Sequence, residues 1–167
     1  DVGARTGTLT IMVGGEQADF EAMRPVFACM GNKMHWMGGP GSGQHTKMAN
    51  QIAIAGALAG VCEAVTYAKG AALDPGAVLD AIGGGAAGSW QLRYNGAKMI
   101  ASDRSAGFYI KHYIKDLRIA LEASQAFCGG LEVEPLVLSM FESLAAQGMD
   151  EDGTQSLIYH YLPMDDA

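Results

Sequence analysis

The sequence has 167 residues, 49% of them hydrophobic, which is enough for one globular domain with a sizeable core. Its net charge is −7 and it has no run of Lys or Arg, which argues against nucleic acid or an anionic membrane as partner. The longest apolar run, residues 52–62, is shorter than the ~20 residues that a membrane span needs. Cys29, Cys62 and Cys128 are far apart without metal-ligand spacing, which indicates reduced thiols in a cytoplasmic protein.

The first forty residues predict a strand, a helix and a second strand. Residues 8–13 (TLTIMV) are rich in β-branched side chains and lie between glycines, as is typical of a strand. Residues 16–30 have helical periodicity, and Pro25 is expected to kink or split that helix. Residues 33–37 (KMHWM) predict the second strand. Because two strands do not form a stable sheet alone, we expect them to be the end of a larger sheet.

From residue 44 onward the pattern is helical throughout. Residues 44–71 predict one long helix of ~40 Å at 1.5 Å per residue. Its middle is apolar nearly all round, so we expect other helices to surround it. Five shorter helices are expected at about 75–83, 89–100, 112–127, 135–147 and after 152. The predicted fold is therefore a mainly α bundle around one long central helix, preceded by a β-α-β remnant.

A change of composition at residues 38–43 predicts a domain boundary. Residues 1–38 would then be the sheet remnant, and residues 39–167 would form an all-helical domain. The opening DVGARTG has no initiator methionine, so we expect the chain to be a fragment.

The glycine-rich segment GGPGSGQHTKMANQ, residues 38–51, fits neither common phosphate-binding motif. A P-loop needs Lys directly after its last glycine and then Ser or Thr, whereas Lys47 comes four residues after Gly43 and Met48 follows it. The dinucleotide fingerprint needs a third glycine where this chain has Thr46.

Lys47 is the candidate catalytic residue of this segment. We expect it in the first turn of the long helix, where partial positive charge disfavours a cation and suits a general acid or base. Its i, i+3, i+4 spacing to Asn50 and Gln51 predicts that the three side chains share one face. The glycines before them allow another backbone or a ligand to approach closely. A solvated surface lysine behind a flexible helix entry explains the same pattern.

Three segments together resemble the β-hydroxyacid dehydrogenase family, which includes 3-hydroxyisobutyrate dehydrogenase and tartronate semialdehyde reductase. They are GARTGTLTIMVGG, GPGSGQHTKMANQ and GFYIKHYIKDLRIAL, in this order and with the family's spacing. The resemblance implies a Rossmann domain followed by a helical domain similar to the C-terminal domain of 6-phosphogluconate dehydrogenase. Residues 1–38 would be the C-terminal edge of a truncated Rossmann domain, and residues 39–167 the helical substrate and dimerisation domain.

The resemblance also implies roles for individual residues. Lys47 would be catalytic, and Asn50 would help to hold the substrate. Gln51 would also bind substrate, at a position where some relatives have Asn; the Gln form is more similar to the tartronate semialdehyde reductases. Lys115 matches a lysine that reaches the cofactor, and Asp116 beside it would orient a neighbour.

Two further residues receive predicted roles from less specific sequence patterns. Gly43, in the glycine-rich segment, is predicted to contact the cofactor. Phe108 matches an aromatic residue that lines the substrate site, although ordinary core packing explains the same residue equally well. The four histidines show no ligand spacing, so no metal site is expected.

The implied function is hydride transfer between NAD or NADP and a small semialdehyde acid or 3-hydroxy acid, with Lys47 as general acid or base. The choice between NAD and NADP, and the particular hydroxy acid, stay open. The alternative is a non-catalytic helical dimerisation module. Because the sequence lacks a dinucleotide fingerprint, the chain alone is expected to be inactive. We also expect a homodimer or higher homo-oligomer, because the apolar long helix needs cover.

Overall fold

Helices make up most of the computed structural model, which describes residues 2–163. Residues 1 and 164–167, the ends of the two predicted domains, lie outside the described residues. The helices are α1 (Val2–Thr6), α2 (Gln17–Phe27), α3 (Ser42–Gly70), α4 (Pro75–Gly83), α5 (Gly96–Ile100), α6 (Ile110–Phe127) and α7 (Val133–Leu144). The strands are β1 (Leu9–Val13) and β2 (Gly31–Trp36). A β-α-β segment followed by helices confirms the predicted fold class.

The chain divides into two units, Asp1–Gln51 and Ile52–Ala167, and the division falls inside α3. In the first unit, β1 and β2 pair in parallel, with Val13 opposite Trp36 at their carboxyl ends. Helix α2 connects the strands and buries Phe20. The expected split at Pro25 is wrong: this proline lies in the last turn of α2, which continues past it to Phe27.

Helix α3 is 29 residues long, as its unbroken helical pattern predicts. It begins at Ser42, two residues before the predicted start at Gln44. Lys47 therefore lies in the second turn, and its predicted position in the first turn is wrong. The partial charge of a helix end falls off within the first turn, so it does not explain a catalytic role for Lys47.

In the part of the chain that the structure describes, the middle of α3 has one covered and one open side. Leu58, Cys62 and Val65 are buried in the core of the second unit. Residues at i, i+3 and i+7 on another face are exposed, namely Ala53, Gly56 and Gly60. Neighbouring helices therefore pack around part of α3, and in the described residues this second face is left open.

By length and mean hydropathy (1.4 over its most apolar window) α3 is also long and apolar enough to cross a membrane. A single such helix is equally typical of a soluble core, and α3 contributes six residues with 4% exposure or less to the core. They are Ala55, Leu58, Val61, Cys62, Val65 and Ala68.

The core of the second unit combines α3 with α6 and α7, including Tyr113 edge-on to Phe141 with ring centroids 5.1 Å apart. Two predicted helix starts are confirmed by their hydrogen bonds. Asp74 Oδ1 accepts the Gly76 N–H at 2.9 Å, with Pro75 at the first helical position. Ser89 Oγ accepts the Leu92 N–H at 3.0 Å.

Three segments of helix differ in type or extent from the sequence pattern. The helix expected at 89–100 contains a π-helical turn, Gln91–Asn95, before α5. A second π-helical turn, Ala145–Met149, extends α7. The segment after residue 152 is a 3-10 helix, Thr154–His160.

Candidate functional site

Glycine turns follow the carboxyl ends of both strands in the first unit. A hydrogen bond joins the two turns, in which the Gly15 N–H donates to the Gly38 carbonyl at 2.9 Å. The indole N–H of Trp36 donates to the Gly15 carbonyl at 2.8 Å. Ligands of open α/β sheets bind outside the carboxyl ends of the strands, so these turns lie at the edge where a ligand is expected.

Gly43 is required by packing. A Cβ atom at residue 43 would collide with the carbonyl oxygen of Met12 in β1. A Cβ atom at Gly14 would meet the carbonyl oxygen of Gly39 at 2.6 Å and the amide nitrogen of Ser42 at 2.8 Å. The sequence left open whether these glycines make room for another backbone or for a ligand. In the structure, backbone atoms lie against Gly14 and Gly43. The cofactor contact of Gly43 stays a prediction.

The structure brings Lys47, Asn50 and Gln51 together near the start of α3. Lys47 Nζ donates to Gln51 Oε1 at 3.0 Å, and Asn50 Nδ2 donates to the same oxygen at 2.9 Å. An ammonium can only donate, so the carbonyl end of the Gln51 amide faces Lys47. Gln51 is 2% exposed, Lys47 is half-buried and Asn50 is exposed.

In this arrangement a buried acceptor, the amide oxygen of Gln51, holds the Lys47 ammonium in place. Gln51 is held in the protein interior, so its oxygen limits the positions that the flexible lysine chain can reach. A neutral carbonyl oxygen holds the ammonium without neutralising its charge, unlike a carboxylate. An ammonium held in this way can stabilise negative charge that develops on a nearby oxygen and can donate a proton to it.

In the second unit, Lys115 and Asp116 form an ion pair on α6. Lys115 Nζ lies 2.9 Å from Asp116 Oδ1, and the lysine side chain is 64% exposed while that of Asp116 is 8% exposed. The buried carboxylate thus anchors an exposed cation. An anchored, exposed ammonium suits an anionic group such as a phosphate. The role of Asp116 in orienting its neighbour stays a prediction, and this ion pair is consistent with it.

Phe108 lies at the edge of the helical core. It is half-buried and packs against the buried cluster, with its ring edge-on to Tyr113 at 6.0 Å between centroids. Core packing therefore accounts for Phe108, and its substrate contact stays a prediction.

The pKa of the neighbouring Tyr113 is raised, and burial is the largest cause. The nearby carboxylates of Glu134 and Asp116 add to the rise.

Glu134 is a buried acid that the sequence reasoning missed. It lies in the first turn of α7 and is 2% exposed, and neither carboxylate oxygen has a hydrogen-bond partner among the described residues. Burial raises the pKa of this carboxyl to about 7. An acid followed by Pro135 is an ordinary pattern for the start of a helix, so nothing in the sequence signals its burial.

Between residues 2 and 163, no group of three or more His, Cys, Asp or Glu side chains could hold a metal ion. The donor groups of the predicted site are ammonium and amide groups instead. Such groups bind anionic and carbonyl oxygens of small organic molecules.

Two sequence families match this chain. The family described as "NAD-binding of NADP-dependent 3-hydroxyisobutyrate dehydrogenase" matches residues 41–161. The family described as "NAD binding domain of 6-phosphogluconate dehydrogenase" matches residues 1–38.

Curated relatives show the same similarity. The uncharacterized oxidoreductase YkwC of Bacillus subtilis is 48% identical over 157 residues, which cover 94% of this chain and 54% of the relative. The 2-hydroxy-3-oxopropionate reductase of Escherichia coli K12 is 40% identical over 148 residues, or 89% of this chain and 51% of the relative. The chain thus spans about half the length of the curated relatives it matches.

Among solved structures, the 3-hydroxyisobutyrate dehydrogenase of Mycobacterium tuberculosis, solved with L-serine, matches with a TM-score of 0.88. The match covers 95% of this chain and 56% of that one at 25% sequence identity.

Proposed function

Because this chain belongs to the 3-hydroxyisobutyrate dehydrogenase family, we propose that it supplies the helical, substrate-binding part of an NAD(P)-dependent oxidoreductase. The reaction interconverts a small semialdehyde acid and the corresponding 3-hydroxy acid. The observation that carries this proposal is the hydrogen bond between Lys47 Nζ and Gln51 Oε1, with Asn50 on the same oxygen.

Lys47 is the general acid and base. In the reducing direction, negative charge develops on the carbonyl oxygen of the substrate, and the Lys47 ammonium stabilises that charge and donates a proton. In the oxidising direction, the neutral amine accepts the proton of the substrate alcohol. When bound, NAD or NADP supplies or accepts the hydride.

Gln51 and Asn50 position the reacting groups. Gln51 is a positioning residue, because its buried oxygen fixes Lys47 Nζ. Asn50 uses one N–H on Gln51, and its carbonyl oxygen and second N–H can bind a hydroxyl and a carboxylate of the substrate. Fixing these groups in place lowers the entropy cost of reaching a reactive geometry.

Lys115 binds an anionic group of the cofactor, and its ion pair with Asp116 holds it in place for that contact. Gly43 contacts the cofactor, and Phe108 lines the substrate site. Residues 1–38 are the edge of a dinucleotide-binding domain, and residues 39–167 form the substrate domain. NAD and NADP both fit this proposal.

A semialdehyde acid is supported as substrate by the Escherichia coli relative, which is named 2-hydroxy-3-oxopropionate reductase and is 40% identical. Gln51 is the residue that favours this substrate over other hydroxy acids. The acidic net charge of −7 supports a cytoplasmic enzyme without nucleic acid or membrane partners.

A homodimer or larger homo-oligomer completes the proposal. The exposed face of α3 formed by Ala53, Gly56 and Gly60 supports it, because small residues let another helix approach closely. The same face favours the second candidate function, a non-catalytic dimerisation module in which Lys47 has no chemical role.

A double-mutant cycle distinguishes these functions. The test uses a full-length enzyme, in which this chain follows the rest of the dinucleotide-binding domain whose edge is residues 1–38. There, Lys47→Ala and Gln51→Leu should each lower kcat, and the double variant should lose little more than Lys47→Ala alone. Gln51→Leu should also shift the pH profile of kcat, which a purely structural role would not do. Fully additive losses would contradict the positioning role, and unchanged kcat in Lys47→Ala would favour the dimerisation module.

A further inference from the structure

The loop between α5 and α6, residues 101–109, is held by hydrogen bonds more than by burial. Most of its residues are exposed, including Arg104, Ser105 and Gly107. Little apolar surface is therefore available to fix the course of the loop. The loop matters for the site because it carries Phe108, which lines the substrate site in the proposed function.

The segment that follows the second π-helical turn supplies backbone donors to this loop. The Gly153 N–H donates to the Arg104 carbonyl at 2.9 Å, and the Thr154 N–H donates to the Phe108 carbonyl at 3.1 Å. Asp152 Oδ2 also accepts from the Arg104 side chain at 2.7 Å. The segment is thus bonded to the loop at Arg104 and again at Phe108.

Gln155 adds two side-chain hydrogen bonds from the protein interior. It is 3% exposed, and its Nε2 donates to the Asp103 carbonyl at 2.7 Å and to the Ser105 carbonyl at 2.9 Å. A primary amide has two N–H donors, so both are used. Because the side chain is buried, a loop that moved away would leave these donors unpaired, which costs free energy. Gln155 therefore ties the loop to one position.

Gly153 makes room for this amide. A Cβ atom at residue 153 would collide with the side-chain amide of Gln155. The φ of Gly153 is −71°, which any residue can adopt, so packing and not backbone conformation requires glycine here. Gly153 and Gln155 therefore act together in holding the loop.

We propose that Gln155 is a positioning residue, which holds the loop so that the Phe108 ring keeps its place in the substrate site. This inference rests on the proposed function, in which Phe108 contacts the substrate. The two carbonyls that Gln155 binds lie shortly before Phe108 in the chain, and the Phe108 carbonyl is bonded to Thr154, the neighbour of Gln155. Loss of the Gln155 amide weakens substrate binding and leaves the chemistry of Lys47 intact.

Other bonds keep the loop folded when Gln155 is replaced. Lys98 on α5 also donates to the Ser105 carbonyl, at 2.7 Å. This bond and the backbone bonds from Gly153 and Thr154 do not involve the Gln155 side chain. Replacing Gln155 should therefore shift the loop without unfolding it.

The first test compares Gln155→Met and Gln147→Met in the full-length enzyme. Methionine is unbranched like glutamine but has no donor. Gln155→Met should raise the KM for 2-hydroxy-3-oxopropionate about tenfold, with less than about a twofold change in kcat and in the cofactor KM. Gln147 is an exposed glutamine of the second unit, and Gln147→Met should change none of these values. A merely structural role would reduce the active fraction, which lowers kcat and leaves KM unchanged.

Two further variants test whether the effect passes through Phe108. Phe108→Leu should raise the same KM, and adding Gln155→Met to it should raise KM by less than about a further twofold. Gly153→Ala keeps the glutamine but displaces its amide, so it should also raise the substrate KM. This variant decides the question if Gln155→Met does not fold.

Hydrogen exchange in the 167-residue chain gives a readout without turnover. The amides of Gly153 and Thr154 donate to the loop, so they should exchange faster in Gln155→Met than in the wild-type chain. Gln147→Met should leave their exchange unchanged.

The outcomes separate this inference from the proposed function. A normal substrate KM in Gln155→Met, or in Gly153→Ala if the first does not fold, with a raised KM in Phe108→Leu would overturn the positioning role alone. Independent rises of KM in the double variant, a loss confined to kcat, or unchanged exchange at Gly153 and Thr154 would overturn it too. A normal KM in Phe108→Leu would contradict the substrate contact of Phe108 and overturn this inference with it.

Discussion

Replacing Glu134 by glutamine should make the second unit more stable at pH 8. The side chain is 2% exposed and has no hydrogen-bond partner between residues 2 and 163, and burial raises its pKa from 4.5 to about 7. Each pKa unit corresponds to about 1.4 kcal/mol. The ionised carboxylate therefore destabilises the folded chain by about 3 kcal/mol, and glutamine keeps the size of the side chain while removing the ionisation.

The stabilisation must depend on pH with a defined sign. Between pH 4.5 and about 7, the folded state binds more protons at residue 134 than the unfolded state does, so the stability of the wild-type chain falls as the pH rises. Below pH 4.5 both states are protonated at this position and the penalty disappears. The difference between Glu134→Gln and the wild-type chain should be small at pH 4.5 and about 3 kcal/mol at pH 8.

Urea unfolding followed by far-UV circular dichroism at pH 5, 6, 7 and 8 measures this difference. Protein concentration is kept constant, since association changes apparent stability. Glu122→Gln, which alters an exposed glutamate on α6, is the control and should change stability by less than about 0.5 kcal/mol at every pH. A difference for Glu134→Gln that stays constant from pH 5 to pH 8, or a loss of stability at pH 8, would refute the reasoning.

Four other outcomes are expected. Asp74→Ala removes the hydrogen bond to the Gly76 N–H at the start of α4 and should cost about 1 kcal/mol in urea unfolding; no loss would show that this cap is not needed. Lys115→Ala in the full-length enzyme should raise the cofactor KM before it lowers kcat, and a selective loss of kcat would contradict the assignment. The 167-residue chain alone should turn over neither NADH nor NADPH with 2-hydroxy-3-oxopropionate, and in sedimentation equilibrium it should exceed its monomer mass of 17.5 kDa.

Local patterns in the sequence were sufficient for several elements of the fold. The apolar helical run defined α3 to within two residues at its start, because 29 residues of one periodicity contain no strong breaker. Asp74 and Pro75 marked the start of α4, since a capping side chain and a fixed φ act within one turn. The spacing of Lys47 and Gln51 was sufficient to predict that they share one helix face, because residues four apart on a helix are neighbours; the structure adds the hydrogen bond between them.

Features that depend on tertiary contacts could not be read from the pattern. Helix α3 begins among glycines, and the contact of Gly43 with the Met12 backbone shows why the helix tolerates one there. The π-helical turn Gln91–Asn95 places Gln91 and Asn95 in the interior, where they hydrogen-bond to each other. The burial of Glu134 depends on how α7 packs, and a glutamate near a helix start normally indicates an exposed residue.

The catalytic role of Lys47 is tested most directly by the rate of hydride transfer in a single turnover. The measurement compares the wild-type full-length enzyme with Lys47→Ala, and Lys33→Ala, at an exposed position on β2, is the control. We expect Lys47→Ala to slow hydride transfer by roughly 10²–10⁴-fold while the dissociation constant of the cofactor changes little. Lys33→Ala should leave both quantities unchanged. A Lys47→Ala enzyme that transfers hydride at the wild-type rate would contradict the general acid and base role of this lysine.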